Sequence, residues 1–141
     1  MTVRFSAPLQ QGLYDLLSGY GPLAAENIQV FDEAPHRSRG GVNDTYITIG
    51  DEVISPWNTG TDLGATHDAT LRVCAPQRGF IFAKSVAALV HDALTSFAPL
   101  LSVGRVVRHD FVSAKTEREA QGALRRIDLT FRFVIEDDAT T

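Results

Sequence analysis

The sequence predicts an α+β fold, a mainly antiparallel β-sheet with two helices packed on one face, in the order α-β-β-β-α-β-β. Three patterns predict it. Residues 121–136 alternate apolar and polar side chains, residues 78–96 place apolar side chains at helical spacing, and residues 44–75 contain two strand-like segments around a polar loop. A single sheet with helices on its apolar face buries all three patterns economically.

The first helix is expected at about residues 7–18. Ser6 is a suitable N-cap for it, and Gly19 provides a C-terminal stop. Pro22 should prevent the helix from continuing, and Gly12 weakens it by up to about 1 kcal/mol relative to alanine. A helix this short must be stabilised by packing. The stripe available for packing consists of Leu9, Leu13, Leu16 and Leu17.

Three strands are expected next, at residues 27–31, 44–54 and 66–75. A polar loop with Pro and Gly separates the first two strands over residues 32–41, and such loops often order on contact with a partner. The loop at residues 55–64 connects the second strand to the third. If this connection is a simple long hairpin, the two strands pair in antiparallel fashion.

The second helix is expected at about residues 78–96, with Pro99 just beyond its end. Its apolar face is predicted to comprise Phe82, Val86, Leu89, Val90, Ala93, Leu94 and Phe97.

Two final strands are expected at about residues 104–115 and 121–136, joined by a charged turn over residues 115–119. Both are longer than the usual strand of about five to six residues, so they are long enough to project as an arm. In the last strand, apolar side chains alternate with polar ones and predict one buried face. That face comprises Ile127, Leu129, Phe131, Phe133 and Ile135.

The composition fits a single domain over residues 1–141 with an acidic tail at about 136–141. The net charge of −4 argues against binding to duplex nucleic acid, which calls for a basic surface. The single cysteine, Cys74, lies in an apolar strand pattern and is expected to be a small buried residue. No apolar run approaches the about 18 residues of a membrane span, so no membrane partner is expected.

No motif for catalysis, cofactor binding or metal binding is present in the sequence. The four histidines form no zinc-binding spacing, and the glycines lack the context of a phosphate-binding loop. We therefore expect no catalytic, cofactor or metal residue and no enzymatic activity. The competing hypothesis is a small hydrolytic enzyme that uses His67 or His109 with a nearby carboxylate.

Short segments along the chain carry a resemblance to a known family. They are residues 9–17, 30–35, 46–50, 57–59, 70–73, 79–84, 109–114 and 129–133. Their order resembles that of the phage tail-terminator and tail-completion proteins, which include proteins of gene transfer agents. The resemblance covers roughly residues 7–136. Thr45 departs from it, because the family commonly has a proline just before this strand.

The resemblance implies a structural protein of a virion or phage-like particle, assembled in the bacterial cytoplasm. It implies a ring, usually a homohexamer, at the head-proximal end of the tail tube. One face of such a ring meets the tube protein and the other meets the head-side connector, while DNA passes through the lumen without specific binding. The alternative within virion assembly is a head-completion or connector component.

The candidate contact residues lie in the polar loops and on the long final strands. Edge strands and ordered loops suit contacts between subunits. Tryptophan is enriched at binding hot spots, although Trp57 could equally close one end of the core. The candidates are Arg37, Arg39, Trp57, Asn58, Arg118 and Arg132.

Overall fold

A computed structural model of the chain describes residues 3–32, 45–56, 64–76, 80–118 and 124–137. After a short 3-10 turn at Val3–Phe5, the helices are α1 (Ser6–Ser18), α2 (Gly21–Ala25) and α3 (Phe80–Ser96). The strands are β1 (Gln29–Phe31), β2 (Tyr46–Pro56), β3 (Gly64–Pro76), β4 (Arg105–Arg118) and β5 (Leu124–Glu136).

The five strands form one sheet in the order β1-β2-β3-β5-β4. The pairs β2–β3, β3–β5 and β4–β5 are antiparallel, whereas β1 and β2 are parallel. Parallel pairing requires a crossover of a dozen or more residues, and the chain between β1 and β2 is long enough to provide it. The predicted α+β class, the mainly antiparallel sheet and the order of its main elements are confirmed.

The core lies between one face of the sheet and the helices. The predicted apolar row of β5 is buried along its whole length, at Ile127, Leu129, Phe131, Phe133 and Ile135. Leucines of α1 and the apolar face of α3 join the same cluster. Alternation along the strands therefore separates an apolar face covered by helices from a helix-free face. Cys74 is buried, as its apolar surroundings predicted.

The start of α1 and the chain after it differ from the prediction. Ser6 is the first residue of α1, and the N-cap is Phe5, which makes no side-chain cap hydrogen bond. The Ser6 hydroxyl instead donates to Glu52. Beyond Gly19, Pro22 lies in the first turn of α2, a short helix that the prediction omitted. Proline suits the first turn because that position needs no backbone N–H donor.

The predicted buried face of α3 is partly wrong. Phe82 and Phe97 are 40% and 55% exposed, whereas Ala83 and Ala87 are buried. The buried stripe of the helix therefore includes Ala83 and Ala87, and Phe82 lies beside this stripe, partly exposed. The other predicted residues are buried or pack against the core, namely Val86, Leu89, Val90, Ala93 and Leu94.

The predicted charged turn at residues 115–119 is also wrong over its described part, because β4 continues to Arg118 and pairs there with Arg125. The charges fit a strand because Lys115 and Glu117 lie on one face, 2.8 Å apart. The β4–β5 pair is not a separate arm. Strand β3 pairs with β5 as far as Pro76, so three strands extend together.

A close approach between α1 and the segment after α3 explains Gly12. A Cβ atom on Gly12 would lie 2.7 Å from the backbone oxygen of Leu100 and 3.2 Å from Cβ of Pro99. Backbone cannot move as easily as a flexible side chain. The helix-weakening glycine is therefore required by packing.

We predict that Gly12→Ala destabilises the protein by about 1–3 kcal/mol, despite the higher helix propensity of alanine, because it overpacks this contact. Thermal and urea unfolding would measure the change. Gly21→Ala is the matched control, since a Cβ atom there meets nothing within 4 Å. Its effect should stay within about 0.5 kcal/mol. Equal effects of the two substitutions would contradict this interpretation.

Candidate assembly surface

Strand β4 forms a long edge of the sheet that the described strands make. Twelve of its 14 residues pair with residues of β5 on one side, and no described residue pairs with its other side. The opposite edge is formed by β1, which has only 3 residues. An edge strand presents unpaired backbone N–H and C=O groups that can accept another strand. The β4 edge is therefore the main site for strand pairing in the described part of the chain.

Two register irregularities interrupt β4, between Val106 and Arg108 and between Phe111 and Ser113. Val107 and Val112 are the extra residues, and they are 45% and 43% exposed. Bulges are common at sheet edges, where they bend the strand and limit unwanted pairing.

Phe111 adds a large aromatic group to this edge. It lies on the helix-covered side of β4 and remains 40% exposed. Its ring contacts His91 of α3, with ring centroids 4.9 Å apart, and Phe131 of β5, at 5.4 Å. The aromatic ring of Phe111 is thus held in place by core residues, while one side of this aromatic ring faces solvent. Aromatic groups held in this way are typical anchors in protein interfaces.

The helix-free side of β4 carries charges of both signs. Arg108 Nε lies 2.8 Å from Asp110 Oδ2, and Lys115 Nζ lies 2.8 Å from Glu117 Oε2. The hydrogen bond between the latter two raises the pKa of Lys115 and lowers the pKa of Glu117. Exposed pairs of this kind add little stability. They do fix a pattern of alternating charge along the edge.

This pattern continues across the helix-free face of the sheet. Glu117 and Asp128 both contact Arg126, at 3.4 and 2.9 Å, and Asp128 also lies 3.5 Å from Arg72. Arg72 reaches Asp51 at 3.1 Å. Because the two signs alternate, these side chains do not form the continuous basic stripe that binds a nucleic-acid backbone.

The two described candidate residues lie on opposite faces of the sheet. Arg132 lies on the helix-free face of β5 and makes a two-point contact with Asp68, at 2.8 and 3.0 Å. The hydrogen bond and charge of Asp68 raise the pKa of Arg132. Arg118 is exposed at the end of β4, on the face that carries the helices. The other candidates, Arg37, Arg39, Trp57 and Asn58, lie outside the described residues.

The prediction missed the exposed apolar residues of β4. The available signal was two apolar doublets, Val106 with Val107 and Phe111 with Val112, in an otherwise alternating strand. Such doublets break the period of two and are consistent with bulges.

A buried polar cluster bears on the hypothesis of a small enzyme. Glu52 faces inwards after a bulge in β2, and its two oxygens lie 2.5 Å from Nδ1 of His67 and 2.5 Å from the Ser6 hydroxyl. His67 is fully buried. The hydroxyl bonds the carboxylate instead of the imidazole, so it is not activated as a nucleophile. The cluster ties α1 to β2 and β3.

The other histidine of that hypothesis is also used structurally, because Nδ1 of His109 is 2.7 Å from the backbone oxygen of Leu94. Among the described residues, no group of three or more His, Cys, Asp or Glu side chains could hold a metal ion. None of the described helices is both long and apolar enough to cross a membrane.

Comparison with known proteins identifies the family. The family described as tail completion protein gp17 matches residues 13–136. This chain belongs to the tail completion protein gp17 family. A chain in the virion of a native gene transfer agent particle is 36% identical, with a TM-score of 0.83, and the match covers 94% of this chain and 97% of that one.

Bacteriophage SPP1 gp17 has the same fold, with 20% identity, a TM-score of 0.52 and coverage of 96% of this chain and 93% of that one. No curated protein sequence matches. Membership of the tail completion protein gp17 family confirms the resemblance found in the sequence. The chain is a structural protein of a virion tail and not an enzyme.

We predict that Glu52→Gln lowers stability at neutral pH and flattens the loss of stability in acid. Burial raises the pKa of Glu52, but the hydrogen bonds from His67 and Ser6 outweigh burial, so the pKa of this carboxyl lies below its ordinary value. A lowered pKa in the folded state means that the stabilisation is present above the unfolded-state pKa and is lost as the pH falls through the folded-state pKa.

Thermal unfolding of the wild type and the variant between neutral pH and about pH 3 would test this prediction. Glu26→Gln, at an exposed position after α2, is the control and should keep the wild-type profile. An unchanged acid profile in Glu52→Gln would show that the buried cluster does not control acid stability.

Proposed function

We propose that this chain is the subunit of a closed ring that caps the head-proximal end of a phage or phage-like tail tube. The ring stops growth of the tube and joins it to the head-side connector, and we propose six copies per ring. The observation that carries the proposal is the 14-residue edge strand β4, whose outer side pairs with no described residue and whose exposed side chains include apolar ones, in a tail completion protein.

Ring closure requires each subunit to present two different surfaces that fit one another. The β4 edge supplies one such surface, because it combines unpaired backbone groups with the partly exposed ring of Phe111 and two exposed valines. A core of aromatic and aliphatic groups with a charged rim is the usual composition of a stable interface. Arg118, at the end of the strand, belongs to that rim.

The charges of the helix-free face suit a ring through which DNA passes. Their alternation lets cations and anions neutralise one another, as in the contact of Arg132 with Asp68. A surface of this kind offers few free cations to phosphates, and phosphate contacts supply most of the affinity of non-specific DNA binding. The similarity to a chain of a gene transfer agent virion favours a phage-like particle as the setting.

The remaining candidates extend the proposed contacts beyond the described residues. Arg37 and Arg39 are proposed to contact a neighbouring subunit, and Trp57 and Asn58 are proposed to contact either a subunit or the tube. Arg132 is proposed as a contact on the helix-free face, alongside its pairing with Asp68.

We predict that the purified chain shortens tubes assembled from its cognate tail tube protein and that Val112→Asp abolishes this effect. The substitution places a charge in the exposed apolar part of the edge. Negative-stain electron microscopy would measure tube length and show whether a ring occupies one end.

Val53→Asp is the matched control, because Val53 is a valine with 65% exposure on β2, away from the β4 edge. It should cap tubes as the wild type does. Tubes of unchanged length, with no ring at either end, would contradict the proposal. Binding to the head connector without any effect on tubes would assign the chain to the connector instead.

A further inference from the structure

We propose that, before assembly, two copies of this chain pair through their β4 strands in antiparallel fashion. The dimer would join two five-stranded sheets into one continuous sheet. A two-fold contact is closed after two copies and cannot itself build a ring. The dimer is therefore an additional state of the free chain, distinct from the proposed ring.

The position of the second bulge in β4 permits this pairing. Opposed residues of an antiparallel pair must lie on the same face of the sheet. Arg108 and Asp110 lie on the helix-free face, opposite residues of β5 that also face that way. After the bulge, Lys115 and Glu117 lie on that same face although their numbers have the other parity. The bulge thus shifts the alternation by one residue.

A two-fold axis of the dimer that passes between Val112 and Ser113 pairs residues that this shift has brought to the same face. It places Asp110 opposite Lys115 of the partner subunit and Arg108 opposite Glu117 of the partner subunit. All these side chains share the helix-free face. Without the bulge, the same register would place opposed residues on different faces. The bulge therefore lies at the centre of the proposed contact.

The charges select this register over its neighbours. Both opposed pairs join unlike charges, and the symmetry repeats each pair. A slip of two residues in one direction would place Arg108 opposite Lys115 of the partner subunit. A slip in the other direction would place Asp110 opposite Glu117 of the partner subunit. Like charges directly opposite one another destabilise a sheet, so both slipped registers are disfavoured.

The other face of the same register has complementary shapes. The exposed ring of Phe111 lies opposite Ala114 of the partner subunit, whose small side chain leaves room for it. His109 lies opposite Thr116 of the partner subunit. Pairing would cover the aromatic ring and the unpaired backbone of β4 together. A long edge that is covered in this way is protected from non-specific strand pairing.

Two opposite charge reversals test the dimer. Position 110 of each subunit lies opposite position 115 of the other subunit. In a dimer of Asp110→Lys, two lysines therefore face one another at both of these places, and in a dimer of Lys115→Asp two aspartates do. Each variant alone should dimerise at least about tenfold more weakly than the wild type. An equimolar mixture of the two variants should restore dimers. In the mixed dimer, the introduced lysine of one variant faces the introduced aspartate of the other, and the unchanged Lys115 faces the unchanged Asp110.

Analytical ultracentrifugation, with one variant carrying a fluorescent label, would measure both the weakening and the rescue. Circular dichroism would establish that each variant is folded. Glu26→Lys, a comparable charge reversal at an exposed site away from β4, should dimerise like the wild type.

Three results would overturn the dimer: a wild type that is monomeric or hexameric throughout, folded variants that dimerise like the wild type, or a mixture that remains monomeric. Tube capping by the wild type is measured separately. Capping without dimers would reject the dimer alone, and dimers without capping would reject the ring alone.

Discussion

The pairing of β5 along both of its sides is the interaction on which the rest of this structure depends. β5 bonds to β3 from Glu136 to Leu124 and to β4 from Glu136 to Arg125. Its inward row of Ile, Leu and Phe side chains forms the surface on which α3 packs. In the sheet, β5 lies between β3 and β4, so β4 forms the edge beyond it.

The division between the two faces of the sheet explains why the chain suits assembly. The apolar face is covered by helices, and its polar groups, such as the Glu52–His67 pair, hold elements together. The helix-free face carries alternating charges that pair across neighbouring strands. On the β4 edge, exposed valines and an anchored aromatic ring lie beside backbone groups that pair with no described residue. Strand pairing between subunits needs these properties.

The sequence was sufficient to predict the structure of a segment wherever its apolar residues followed a single period, either that of a strand or that of a helix. Alternation over residues 127–135 predicted the buried row of β5, and helical spacing predicted α3 and most of its buried face. Ala83 and Ala87 were missed, whereas Ala93 was predicted correctly, because the rotation of the helix against the sheet decides which small residues are buried. Likewise, the sequence near Gly12 does not show why a glycine is needed there. The need comes from the close approach of the Leu100 backbone, which is distant in sequence.

The candidate surface was predicted only in outline. The unusual lengths of the last two strands indicated that this part of the chain forms an interface, and Arg118 and Arg132 were proposed as its contact residues. The exposure of Val107 and Val112 depends on bulges, whose positions are set by the pairing of β4 with β5 and not by β4 alone. Similarly, the bulge after Ile49 turns Glu52 inwards, and simple alternation along β2 does not reveal it.

The central claim is that the β4 edge is the surface used in assembly. Amide hydrogen exchange over Arg105–Arg118, compared between the dilute monomeric chain and the chain bound to tail tubes, tests it most directly. We expect the amides of β4 that face away from β5 to exchange much more slowly in the bound chain. Unchanged exchange throughout β4 in a chain shown to be bound would contradict it.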